Sequence, residues 1–473
     1  MKSVQFIGLP YYELKKKLRP YVIIITAAIS SAMVFLPPPD GLSRAGMNAL
    51  AIFFLALVFW VTNAIPLMVT SMLALILLPL LHVMDSKDAY ALFGNQAVFF
   101  ILGAFILASA VMRSGLSMRI ALLVLRRFEK NSTTLLIGIL LLTAGLSFLM
   151  SEHAVAAMIF PIIYEITQAM KLKKGTAYGK ALFLAMAWGC IIGGIATFLG
   201  GARALLALGM LEQTTGQTIG FIPWMLAALP TVIVLLVAAI FFLTRLVRHE
   251  QHAMQEATQY LEKRVHSMGA LSQREKFIGL LMVATIVLWA TLGHAVGIAN
   301  IALGAVAFAF IFKMMSWKQA EQDVNWGIIL MYGGAIALGS ALDKSGAVAW
   351  IASNIFDNWM VSAPVLILLF CVLSEVLTEG MSNSAVIALL LPIGLFTGEK
   401  FGIDAKVITM AIAIPSGLAF MLPMSTPAVA LAVSSKYVQT SDTAKYGVLL
   451  NAVSIIIFWV SALVYWPLIG FHV

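Results

Sequence analysis

Two triplets of polar side chains interrupt long apolar runs in this chain, Ser151–Glu152–His153 and, 231 residues later, Ser382–Asn383–Ser384. The second triplet offers neutral oxygens and an amide without fixed charge. That chemistry suits a weakly held cation such as Na⁺, or an anion bound through hydrogen bonds at helix ends. Thr378 lies one helical turn before Ser382, close enough to share a cation site. Such residues also serve simply as hydrogen bonds between helices. Glu152 and His153 are ionisable groups in an apolar setting, where charge is expensive and by default functional. The alternative is a watery tip on which the pair is surface-like. Arg203 follows Gly200 and Gly201 inside ATFLGGARALLALG. It could pair with Glu152, bind an anionic substrate, or snorkel to the interface. In the second half, Ser425, Thr426 and Pro427 interrupt FMLPMSTPAV and free backbone carbonyls, a break that can also be purely structural. Glu379 is expected to orient the second tip rather than bind substrate, and Glu165 to sit at the base of the first, near the lipid interface.

The elements that hold these groups repeat. Gly103, Ala104, Leu107, Ser109, Ala110, Ser114 and Gly115 recur at the same offset as Gly334, Ala335, Leu338, Ser340, Ala341, Ser345 and Gly346. Ser151, Ala154, Val155, Ala157, Pro161 and Ile162 recur as Ser382, Ala385, Val386, Ala388, Pro392 and Ile393. Hydrophobic residues make up 61% of the chain and charged residues 11%, far below the quarter or so of a soluble domain. This composition predicts an all-α polytopic membrane protein. Two homologous halves in such a chain point to a secondary transporter with its site where they meet. The net charge of +9 is not a nucleic-acid footprint, because the Lys and Arg lie in short loops beside apolar spans. Cys190 and Cys371 offer neither a disulfide framework nor metal-ligand spacing.

Spans are expected at about 21–37, 46–64, 67–83, 97–112, 180–210, 220–245, 277–293, 298–315, 327–342, 404–435 and 446–469. A basic amphipathic stretch follows at 113–130, and an amphipathic stretch follows Lys344. The segments 134–166 and 362–397 are broken at the two triplets. Each arm of the first is about 15 residues, short of the ~20 a spanning helix needs. Both segments therefore read as hairpins that dip in and return. The expected organisation is an N-terminal region with the first helix (1–45), a first repeat (46–245), a cytoplasmic linker (246–276) and a second repeat (277–473). Loop charge predicts 11 spans, with the N-terminus cytoplasmic and the C-terminus outside. An odd number of spans per half inverts the second repeat relative to the first.

In order and spacing the chain resembles the divalent anion/sodium symporter family, within the ion transporter superfamily. FWVTNAIPLMVTSMLALILLPLLHV (59–83), the two tips and the two broken helices carry the resemblance over nearly the whole length. It implies a homodimer in the cell membrane. Each protomer would have a scaffold domain and a transport domain that moves like an elevator. The family's S-N-T tip is matched by Ser382–Asn383–Ser384, and the start of its G/A-T-P-P-N-like loop by Ser425–Thr426–Pro427. By that match Thr378, Met381, Asn383 and Ser425 surround one sodium. Asn383, Ser384, Thr426 and Pro427 join the substrate site, with Ser151, Glu152, His153 and Arg203 facing from the other half. The first half departs from the pattern. Ser147, Ser151, Glu152 and Gly200 stand where the other sodium site would be. There Arg203 could supply a fixed charge, or Glu152 and His153 could take up a proton.

The expected function is secondary active transport of a small divalent anion by alternating access. Dicarboxylates come first, with sulfate, a sulfonate or another oxyanion behind, and coupling is to Na⁺, H⁺ or a counter-anion. No other cofactor, transition metal or nucleic acid is expected. An exporter or ion/proton antiporter is the rival reading. An enzyme is disfavoured because no metal-ligand pair and no nucleophile–His–acid set surround His153. A sensor is disfavoured because the linker is too short for a folded domain.

Overall fold

The computed structural model describes residues 9–248, 254–356 and 362–472. Among these there are helices and no strands. The first half comprises α1 (Leu9–Phe35), α2 (Arg44–Thr62), α3 (Leu67–Leu80), α4 (Ser86–Ala91), α5 (Gln96–Ser114) and α6 (Leu116–Arg127). It continues through α7 (Ser132–Ser147), α8 (Glu152–Ala169), α9 (Ala177–Gly194), α10 (Ala202–Thr215) and α11 (Phe221–Leu246). The linker contains α12 (Gln255–Ser267). The second half opens with α13 (Gln273–Val296), α14 (Ile298–Ile311), α15 (Trp317–Asp323), α16 (Trp326–Lys344) and α17 (Ala347–Phe356). It ends with α18 (Ala363–Gly380), α19 (Asn383–Lys400), α20 (Ala405–Ala413), α21 (Pro427–Ser434) and α22 (Thr440–Val460).

The repeat governs geometry beyond the residues that are identical. At the offset of 231, α3 falls on α14 and α8 on α19, end for end. The left-handed residues that stop helices pair in the same way, His82 with Lys313, Gly115 with Gly346 and Lys171 with Gly402. A positive φ is costly for a side chain and marks a designed stop. The halves also exchange partners. Gly103 on α5 lies against Ala302 on α14, so close that a Cβ there would come within 2.8 Å of the Ala302 Cβ. Gly334 on α16 lies against Ser71 on α3, where the corresponding distance is 2.6 Å. Gly103 and Gly334 are equivalent, as are Ser71 and Ala302. Each half therefore seats a short helix in a glycine groove of the other, as a two-fold relation between repeats requires. Likewise α10 packs on α19, and α21 on α8.

Among the described residues, nine helices are long and apolar enough to cross a membrane. Large apolar side chains such as Phe35 (83% exposed), Leu80, Leu280, Ile311 and Leu468 face outward, as lipid contact demands. The count of eleven spans is not reproduced by length alone. α3 and α14 stop at 14 residues, and α20 runs only Ala405–Ala413. The arms of the first broken segment are slightly longer than the expected 15 or so residues. α7 has 16 residues, whereas α8, α18 and α19 have 18 each, and α18 alone is long and apolar enough to span. The first helix extends back to Leu9, through the basic cluster. The linker carries α12, packed on α6 and α8.

Candidate functional site

Each tip is built by the same local device. Ser151 N-caps α8, accepting from the Ala154 amide at 3.3 Å, and Ser382 N-caps α19, accepting from the Ala385 amide at 3.3 Å. A serine cap leaves further free N–H groups and the positive dipole end of the helix aimed at the tip. The broken helices add two more such ends. Gly201 precedes α10, and Thr426 N-caps α21 with Pro427 in its first turn. The Thr197 hydroxyl donates to the Phe148 carbonyl at 2.7 Å, and the Glu152 amide donates to the Gly200 carbonyl at 2.9 Å. The first tip and the first break are thereby tied together.

Glu152 is 1% exposed and Arg203 4%. The Arg203 Nη1 lies 3.3 Å from the Glu152 Oε1. Snorkelling of Arg203 to the interface is thus overturned, because the guanidinium turns inward to a carboxylate. It occupies the space a Cβ would need at both Gly201 and Gly417, so it reaches from the first half to the break of the second. Glu152 Oε2 similarly occupies the space beside Gly194. Glu152 Oε2, Arg203 Nη2 and Ser147 Oγ have no hydrogen-bond partner among the described residues. His153 Nδ1 is 3.7 Å from Glu152 Oε1, but its side chain is 47% exposed. A crevice opens at this tip between α5 and Leu149, Met150, Ser151, Phe198, Leu199 and Ala202. A cavity of about 300 Å³, lined by Gln96, Glu212, Trp289 and His294 among others, includes no residue of either triplet and shares Leu205 with that crevice.

The second tip gathers neutral oxygens. The Thr378 hydroxyl lies 2.8 Å from Asn383 Oδ1 and 2.9 Å from the Ser416 carbonyl, donating between them. Ser384 Oγ is 3.0 Å from the Tyr332 hydroxyl. Met381 is buried and ends α18, while Ser425 turns its hydroxyl to the Leu422 carbonyl at 2.5 Å. No hydrogen bond links Ser425 to the Thr378 cluster among the described residues. Glu379 accepts from the Phe420, Met421 and Leu422 amides at 2.8, 3.0 and 2.9 Å, and from Asn451 at 2.9 Å. It fixes the loop of the broken helix against the tip, which gives its expected orienting role a geometry. Glu165 contacts Tyr260 of α12 through a short hydrogen bond and lies 3.7 Å from Arg264, so it ties the base of α8 to the linker.

Three partners escaped sequence reasoning. Ser416 contributes a main-chain oxygen, and its signal was the Pro-Ser-Gly turn of Pro415–Gly417, upstream of the break read at Ser425. Tyr332 sits in a run of small apolar residues with nothing to mark it. Asn451 lies mid-helix in α22, a polar residue in an apolar stretch.

Chemically, Thr378, Asn383 and Ser416 form an uncharged oxygen cluster that fits Na⁺. Ser147, Glu152 and Gly200 do not fit it in the same way. The guanidinium of Arg203 stands where an ion would neutralise Glu152.

Residues 15–472 match the model of the sodium:sulfate symporter transmembrane region. The chain is 28% identical over 446 residues to the sodium-dependent dicarboxylate transporter SdcS of Staphylococcus saprophyticus, covering 89% of this chain and 86% of that protein. It is 26% identical over 483 residues to SdcS of Staphylococcus aureus, covering 95% and 92%. The fold resembles that of Neisseria gonorrhoeae MtrF, described within a class of antimetabolite efflux pumps, with TM-score 0.55, 15% identity and 94% of each chain covered. It also resembles the Alcanivorax borkumensis YdaH transporter, with TM-score 0.52, 14% identity and 96% and 98% covered.

Proposed function

This chain belongs to the sodium:sulfate symporter family, and on that premise we propose that it carries a small divalent anion across the membrane between its two tips. It is a multi-pass membrane transporter and not an enzyme. Dicarboxylates are the first candidates, since the curated relatives named above are sodium-dependent dicarboxylate transporters. Sulfate, a sulfonate or another oxyanion come next.

The observation that carries this reading is the pair of serine-capped helix ends at Ser151 and Ser382, each beside a broken helix with an N-terminus of its own. Free amides and dipole ends bind an anion through partial charges, and the paired Arg203 and Glu152 add no net charge that would hold it too tightly to release. Ser382, Asn383, Ser384, Thr426 and Pro427 are assigned to the substrate from one side, and Ser151, Glu152, His153 and Arg203 from the other. Na⁺ is assigned to Thr378, Asn383 and Ser416, with Met381 and Ser425 bordering. A cation there would order α18, α19 and the Ser416 turn together and so complete the anion site, which is how coupling arises from differential binding. Re-entrant tips, a homodimer, elevator motion of the tips against a scaffold and a cytoplasmic N-terminus complete the reading.

The test is uptake of labelled succinate and of labelled sulfate by proteoliposomes under an inward Na⁺ gradient, an inward H⁺ gradient, or with counter-anion inside. Gradient-driven uptake of succinate that Thr378→Val shifts to higher Na⁺ is the expected result. Absence of driven uptake of either anion under all three conditions would sink the proposal.

A further inference from the structure

The internal repeat supplies its own comparison. Ser147 stands at the position of Thr378, Ser151 at that of Ser382 and Glu152 at that of Asn383. α8 and α19 match end for end, so Ser151 and Ser382, and Glu152 and Asn383, leave equivalent turns, whereas α7 ends at Ser147 and α18 continues past Thr378 to Gly380. In the second half, the hydroxyl, the amide oxygen and the main-chain oxygen are all neutral. In the first half the amide is replaced by a carboxylate, and a buried guanidinium lies 3.3 Å from it. Nothing at the equivalent place in the second half carries charge, because with the two helix starts Gly201 and Thr426 matched, the position equivalent to Arg203 is Ala428.

The burial of this pair needs a reason. Two desolvated charges gain little net stability over apolar residues of similar size. The guanidinium also constrains its surroundings, since Gly201 and Gly417 must lack side chains to admit it. It reaches across to the turn whose Ser416 carbonyl belongs to the other cluster. A purely structural ion pair would not need to stand at the repeat-equivalent of an oxygen cluster, nor to bridge the two breaks.

We infer that Arg203 is a built-in cation. It neutralises Glu152 permanently and removes the need for a dissolved sodium ion in the first half, leaving one sodium site per protomer, in the second half. This rests on the assignment of Na⁺ to the Thr378 cluster. Its consequence is a transport cycle that carries one fewer cation than a protein with two oxygen-only tips. The first tip would be organised at all sodium concentrations, and only the second would respond to Na⁺.

The experiment is sodium-dependent thermal stability of the purified full-length chain without substrate, with choline chloride holding ionic strength constant. An ion bound by the folded state alone raises stability with the logarithm of its concentration. Arg203→Lys keeps the charge and is expected to keep the wild-type sodium slope. Glu152→Asn with Arg203→Ala gives the first tip the residue types of the second, and its slope should exceed the wild-type slope by about one ion per protomer. Should that double variant fail to fold, single variants decide. Arg203→Ala leaves an uncompensated carboxylate, and its lost stability should be restored by Na⁺ but not by choline. Glu152→Gln leaves an uncompensated guanidinium and should show no such rescue.

Equal slopes in the wild type and the double variant overturn the inference. So does a single variant Arg203→Ala that recovers equally in either salt, or in neither. A wild type without sodium response beside a responsive double variant supports Arg203 as the built-in cation but overturns the sodium site of the second half, and with it the proposed sodium coupling. A parallel panel of anions tests the transport reading separately, because the sodium slopes are read without any anion substrate.

Discussion

Replacing Glu379 with Gln should be among the most damaging conservative changes in the second half. The carboxylate is 6% exposed and accepts four hydrogen bonds, three of them from consecutive main-chain amides of the loop Phe420–Leu422. Bonds to a charged acceptor contribute about 1.5–3 kcal/mol each. Gln keeps one acceptor oxygen, so the bonds from Phe420, Met421 and Asn451 survive at the lower strength of neutral pairs. The Leu422 amide then faces either a donor or nothing. One bond lost and three weakened amount to roughly 3–6 kcal/mol. Glu379→Ala should cost more, since all three amides lose their partner, whereas Asn451→Ala removes a single bond and should cost about 1–3 kcal/mol. The assay is thermal unfolding of purified protein in detergent, followed by intrinsic fluorescence. The order of melting points should be wild type, Asn451→Ala, Glu379→Gln, Glu379→Ala. A Glu379→Gln protein melting within about 1 °C of wild type would refute the idea that this carboxylate holds the broken loop in place.

Leucine at Gly334 or at Gly103 should each lower the melting point and the yield of folded protein by similar amounts, because the two sites are equivalent and neither has room for a side chain; size-exclusion profiles of the two variants check this. Asp323 accepts from Arg113 Nε at 2.5 Å and Nη2 at 2.8 Å, and also from Ser109. The Arg113 hydrogen bond holds its carboxyl below the usual carboxylate range. A depressed folded-state value means the stabilisation is present above the unfolded value of about 4 and is lost as pH falls below it. Asp323→Asn should therefore lower stability at neutral pH and narrow the gap to wild type below that value, as acid-unfolding curves would record. Arg119 binds Glu275 at 2.6 Å and the carbonyls of Met268, Gly269 and Ala270. Arg119→Ala should make the segment after α12 more sensitive to limited proteolysis, with a new cleavage between residues 267 and 276.

What was legible in the sequence followed from how far side-chain type constrains geometry. The two tips were readable because a polar triplet breaks an apolar run into half-helices; the capping of the second arms by Ser151 and Ser382 is what the structure adds. The match of α3 to α14 was readable only from the order and spacing of the spans at 67–83 and 298–315, since few residues are shared there. What the two helices share is a length and a seat against a glycine, Gly334 for α3 and Gly103 for α14. The early end of α3 at Leu80 is set by the left-handed turn at His82, a residue type that carries no such signal alone. The partnership of Arg203 with Glu152 was one of three alternatives, because nothing local distinguishes an inward guanidinium from a snorkelling one. Its second neighbour, Gly417, lies in the other half of the chain and is invisible to any local pattern. The linker was read as polar connection. Its apolar residues Ala257 and Leu261 instead bury one face of α12 against α6 and α8.

The exchanged helices bear on how such a chain is made. Synthesis runs from the N-terminus, so α5 is produced long before α14, whose Ala302 fills the groove at Gly103. Likewise α3 waits for α16 and its Gly334. When the ribosome reaches the linker, the first half has an unfilled groove and an unseated helix, and lipid or insertion machinery must cover both. Neither half is a folding unit in its own right. Two fragments cut at the linker should assemble only when they are made together in one membrane.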